Sequence, residues 1–117
     1  MAEPSLPDRM RDDLVQALKS RDRPRVAALR QALAAIANAE APPPPKRRRL
    51  RVVPSPPEAG RRHEVARLEL GPADVRRILR SEVAEHEAAA EEYERLGRSK
   101  EAAERTAEAD ALRGYLA

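Results

Sequence analysis

Residues 75–96 read VRRILRSEVAEHEAAAEEYERL. Val75, Ile78, Leu79, Val83, His86, Ala90, Tyr93 and Leu96 recur three and four residues apart, so one face of a helix collects them while Arg and Glu fill the rest. Gly71 and Pro72 open this helix, and Gly97 stands as the C′ residue that closes it. Ser99 is expected to cap the following helix, whose inner stripe is Ala102, Thr106, Ala109, Leu112 and Leu116. Folding back at Gly97 sets Tyr93 beside Ala102, His86 beside Ala109, Val83 beside Leu112 and Leu79 beside Leu116. Large side chains meet small ones near the turn, which lets the helices approach closely. Residues 72–116 therefore read as an αα-hairpin. Its outer faces carry Glu91–Arg95, Glu94–Arg98 and Glu101–Arg105 at i,i+4, each pair contributing only about 0.2–0.5 kcal/mol.

The same periodicity occurs at the other end of the chain. Leu6, Met10, Leu14 and Leu18 recur every four residues, with Asp8 as the expected N-cap. Val26, Leu29, Leu33 and Ile36 follow on a second helix capped by Asp22, with Pro24 in its first turn, where a missing N–H costs nothing. Reversal around Arg21–Arg23 pairs Leu18 with Val26, Leu14 with Leu29 and Met10 with Leu33, so residues 8–40 form a first hairpin. Strand-like alternation and glycine-rich loops are absent, and the expected fold class is all-α: two antiparallel helical hairpins, about four helices. At 117 residues the chain is one domain at most, and Tyr93 is the only aromatic expected in a core position. So thin a core makes a partner or a self-dimer an expectation.

Residues 41–71 are of another kind. Pro42 to Pro45 stop the second helix; Lys46, Arg47, Arg48, Arg49 and Arg51 follow, then Pro54, Pro56, Pro57 and Gly60. Lys46 to Arg67 holds eight bases against Glu58 and Glu64, a local charge of 8 − 2 = +6. Such a stretch buries too little apolar surface to fold by itself and is expected as an extended loop joining the hairpins. Glu82 to Asp110 holds ten acids and four bases, a local charge of 4 − 10 = −6. The formal net charge of +3 thus hides a basic and an acidic region.

Composition excludes several functions. With no Cys there is no disulfide framework, thiolate site or cysteine nucleophile. With two His a multi-histidine metal centre is excluded. The first twenty residues are too charged for a signal-peptide core, and no apolar run is long enough to cross a bilayer. A cytoplasmic protein without membrane contact is expected.

Glu82 and His86 lie i,i+4, as metal ligands can, but two ligands are too few, and His86 is expected as a seam histidine beside Ala109. Glu91 and Glu92 are expected as solvated surface. No catalytic, cofactor-binding or metal-ligating residue is assigned. Two basic clusters are candidate nucleic-acid-binding groups. One is Lys46, Arg47, Arg48, Arg49 and Arg51, which reads either as a phosphate-binding arm or as a solvated linker. The other is Lys19, Arg21, Arg23 and Arg25 at the first turn, with Arg30 behind them. It reads as a phosphate grip on a rigid hairpin, or as surface charge with Lys19 and Arg21 compensating the helix dipole.

A family resemblance rests on Lys19-Ser-Arg-Asp22, Ala28-Leu29-Arg30, Ala34-Ala35-Ile36-Ala37-Asn38-Ala39-Glu40, Glu91-Glu92-Tyr93, Leu96-Gly97-Arg98, and Glu108 leading to Leu112, Tyr115 and Leu116. In order and spacing these segments resemble the YqeY-like proteins, whose domain is shared with the tail of the B subunit of the tRNA-dependent Asp/Glu amidotransferase. They cover both hairpins. The chain differs from that pattern in its long basic link, in the acidic Glu82-Val83-Ala84-Glu85-His86-Glu87, and in ending before the second helical subdomain most members carry, which is expected to be absent. The resemblance implies a tRNA-associated accessory of bacterial type, with tRNA or other RNA and amidotransferase subunits as partners. It also implies a link to carbon–nitrogen ligases with glutamine as amido-N-donor. No nucleophile, amidase Ser–Lys pair or nucleotide-binding loop accompanies it, so any such activity would be borrowed from a partner. A protein-interaction module presenting the acidic hairpin, without nucleic acid, is the alternative reading of the charge map.

Overall fold

The computed structural model describes residues 3–41 and 69–117. The described residues are all-helical: α1 (Leu6–Ser20), α2 (Arg23–Glu40), α3 (Pro72–Arg95) and α4 (Ser99–Arg113). The expected basic joining segment, with Lys46, Arg47, Arg48, Arg49 and Arg51, lies outside the described residues.

Each helix end is set by local chemistry. The Ser5 hydroxyl accepts from the Asp8 N–H at 3.2 Å, so Ser5 and not Asp8 caps α1; Asp8 instead supplies first-turn negative charge and pairs with Arg11. Pro7 is the reason: it fills the first turn, where proline is tolerated, and places the cap before it. Asp22 caps α2 by accepting from the Arg25 N–H at 3.4 Å. At α3 the Asp74 carboxylate reaches back to the Gly71 N–H at 3.0 Å. The α4 cap position falls on Arg98, without a side-chain bond, and Ser99 is the first helical residue.

The two hairpin turns share one geometry. After α3, the Arg98 N–H reaches the Tyr93 carbonyl at 2.8 Å and the Gly97 N–H reaches Glu94 at 3.0 Å, with Gly97 left-handed at φ 75°. After α1, the Asp22 N–H reaches Ala17 at 3.0 Å and the Arg21 N–H reaches Leu18 at 3.3 Å. Both are Schellman motifs. In the first, however, the left-handed position is held by Arg21, at φ 60° and ψ 37°.

The two hairpin seams merge into one core. Met10, Ala28, Leu29, Ala32, Ile36, Val75, Leu79, Val83, Ala109, Leu112 and Tyr115 form a single buried cluster drawn from every helix. α2 packs against α4 as well as against α1, which places it centrally. Leu18 and Thr106, expected on seams, are exposed: on α1 a strict four-residue spacing drifts off a 3.6-residue helix, so Leu18 at its end leaves the core, and on α4 Thr106 stands to one side of the face that Ala102, Ala109 and Leu112 bury. The deeply buried aromatic is Tyr115, whose hydroxyl donates to Asp13 on α1, with Arg9 5.7 Å from its ring centroid. Tyr93 is only half-buried, beneath Arg98. The surface ion pairs form at i,i+3 and not at i,i+4: Glu92–Arg95, Arg98–Glu101 and Arg105–Glu108.

Candidate nucleic-acid interface

The α1–α2 turn gathers positive charge on a rigid frame. Arg21 sits on the turn itself, Arg23 opens α2, and Arg30 follows two helical turns later. Together with Leu18, Val26 and Ala27 they line an open groove of about 390 Å³. The predicted cluster is thus only partly assembled. Arg21, Arg23 and Arg30 share the groove, whereas Lys19 does not line it. Arg25 is half-buried, and its charge bears on Tyr115 near Asp13 and Arg9.

Among the described residues, none of Lys19, Arg21, Arg23, Arg25 and Arg30 forms an ion pair with a carboxylate. Asp22, the acid within the turn, is committed to capping α2. On α3 and α4, Arg77, Arg95, Arg98, Arg105 and Arg113 are each paired with Glu or Asp, whereas Arg76, Arg80 and Lys100 stand unpaired there too among the described residues; what sets the turn apart is that its three unpaired arginines share one groove. An unpaired guanidinium keeps its fork of donors open to an outside oxyanion. Three of them over one groove suit a phosphodiester backbone.

A second cleft lies between α2, α3 and α4. Gln31, Ala34, Ala35, Asn38, Glu82, Glu85, His86 and Arg105 line about 400 Å³. His86 is only 2% exposed, confirming its place on the seam. Burial, with Arg105 adding to it, pushes the imidazole pKa below its ordinary value, against the opposing pull of Glu108 and Glu85. With the ring neutral, Arg105 Nη1 donates to Nδ1 at 2.8 Å; the proton then sits on Nε2, which meets no partner. Glu108 lies 3.1 Å from Nδ1 and 3.2 Å from Arg105. Burial and the neighbouring Glu85 raise the Glu82 carboxyl. Among the described residues no Ser, Thr or Tyr hydroxyl lines this cleft, whose titratable groups are Glu82, Glu85, His86 and Arg105. Among the described residues no three His, Cys, Asp or Glu side chains cluster as a metal site.

The Arg105–Glu108 partnership of His86 escaped sequence reasoning, although its signal was present. If His86 faces Ala109, then Glu108 and Arg105, one and four residues earlier on α4, must flank the ring. No helix among the described residues is long and apolar enough to cross a membrane. Comparison of the chain with models of known protein families, with curated proteins and with solved structures finds no match.

Proposed function

We propose that this chain is a non-catalytic, RNA-associated helical module that grips the phosphate backbone at the α1–α2 turn. The observation that carries the reading is the convergence of Arg21, Arg23 and Arg30 on one groove without carboxylate partners. A second observation favours it. Arg21 holds a left-handed backbone at a position where the chain's other turn uses glycine, and strain kept by a non-glycine residue points to a use for its side chain. The resemblance to YqeY-like proteins supports tRNA as the RNA, amidotransferase subunits as neighbours and the bacterial cytoplasm as the setting. Lys46, Arg47, Arg48, Arg49 and Arg51 add positive charge in sequence and extend the same electrostatic attraction. Carbon–nitrogen ligation with glutamine as amido-N-donor would then be a partner's activity.

The test is tRNA binding across a salt series for the wild type, for an Arg21/Arg23/Arg30→Gln triple variant, and for a variant with Gln at 46–49 and 51. Each lost phosphate contact removes about 0.7–0.9 from the slope of log K against log salt, so the turn variant should lose about 2–3. It should also lose more affinity than the 46–51 variant. Absence of binding to any RNA at low salt refutes the reading and leaves a protein-interaction module using the −6 hairpin of α3 and α4.

A further inference from the structure

We infer that the groove at the α1–α2 turn receives an unpaired nucleobase, so that the RNA favoured by this chain is looped or single-stranded and not uniform duplex. The inference rests on the reading of the turn as the RNA grip. Phosphate binding needs cations but no apolar floor, and this groove has one: Leu18, Val26 and Ala27 lie between the arginines. Leu18 is 46% exposed, and Val15, three residues back on the same face of α1, is 49% exposed. An A-form duplex keeps its bases stacked inside and offers a protruding αα-turn only phosphates and 2′-hydroxyls, leaving those side chains in water. A splayed base covers them.

The chemistry of the rim agrees. A guanidinium is planar and weakly hydrated; it stacks on a base face as readily as it grips a phosphate by two parallel hydrogen bonds. Arg21, Arg23 and Arg30 can therefore serve both the base and its flanking phosphates, with no aromatic side chain among the described residues of the groove. Size decides against an amphipathic peptide helix, which needs a trough long enough for anchors at i, i+3, i+4 and i+7. The apolar lining here is Leu18, Val26 and Ala27 around one turn, too short for anchors at that spacing.

The test compares three RNAs of equal length with the full chain at one salt concentration: a hairpin with an unpaired loop, an unstructured single strand and a blunt duplex. A Leu18→Ser/Val26→Ser variant, checked for helicity, is measured beside the wild type. The hairpin and single strand should bind about tenfold more tightly than the duplex, the scale of one stacked base. The double variant should bring loop affinity down to the duplex value while leaving the salt slope unchanged. Equal wild-type affinity for duplex and loop overturns the inference and leaves the phosphate grip intact. So does a double variant that weakens loop and duplex alike. Failure to bind any of the three RNAs, or binding only to an acidic apolar peptide tried in their place, overturns both.

Discussion

Replacing Arg21 by glycine should stabilise the protein while weakening its grip on RNA. Arg21 sits at φ 60° and ψ 37° at the end of α1, in the left-handed region. That region costs a residue with a Cβ about 1–2 kcal/mol. Glycine removes the penalty but gives the unfolded chain more freedom, returning about 0.4–1 kcal/mol of it. The net gain is about 0.5–1 kcal/mol, or roughly 2–6 °C in melting temperature for a domain of this size. Gly97 shows the same turn made without strain, at φ 75° with open space around its α-carbon. Arg21→Ala is the control, since alanine loses the charge but keeps the Cβ. Circular dichroism melts of the three proteins should rank glycine above alanine and wild type, the latter two nearly equal. Tight-binding conditions would also show the salt slope for RNA reduced by about 0.7–0.9 in both variants. A glycine variant that melts at or below wild type, or an alanine variant that gains as much as glycine, would refute the strain argument.

Other expectations follow from the core. Leu112→Ala, at a fully buried position shared by all four helices, should cost about 2–5 kcal/mol in denaturant titrations, whereas Thr106→Ala on the exposed face should change little. Tyr115→Phe removes the hydrogen bond to Asp13 and should cost about 1–2 kcal/mol, visible as a lower urea midpoint with an unchanged m-value. The His86 pKa is held low in the folded state, so the unfolded chain binds its proton first. The stability this gives is present above the ordinary histidine pKa of about 6.5 and is lost as pH falls below it. His86→Gln should flatten the melting temperature against pH across that window; Glu82, whose raised carboxyl gains protons on folding, acts in the opposite direction.

The helices were readable because their apolar spacing, Asp22, Pro72 and Gly97 all act locally. The α3–α4 register was readable because a single glycine fixes the fold-back point, and His86 fell on the seam as that register requires. What escaped was set by tertiary context. Tyr115 lies past the end of α4, and only the packing of α1 against the C-terminus brings Asp13 to its hydroxyl. Tyr93 and Leu18 fit a helical stripe by spacing, yet both lie near turns, where the stripe runs out of partner. The basic turn was visible as composition; its division into Arg21, Arg23 and Arg30 on a groove and a half-buried Arg25 off it depends on helix phase around a left-handed residue. The turn arginines lack carboxylate partners by placement, since the one acid within the turn, Asp22, caps α2 and the other acids lie elsewhere in the chain.

The most direct test of the turn as the binding surface is amide chemical-shift mapping of the labelled protein titrated with tRNA at low salt. Shifts concentrated on Leu18 through Gln31, with the amides of Glu91 through Glu108 unmoved, are the result expected. Shifts centred on α3 and α4, or none at all at saturating tRNA, would contradict it.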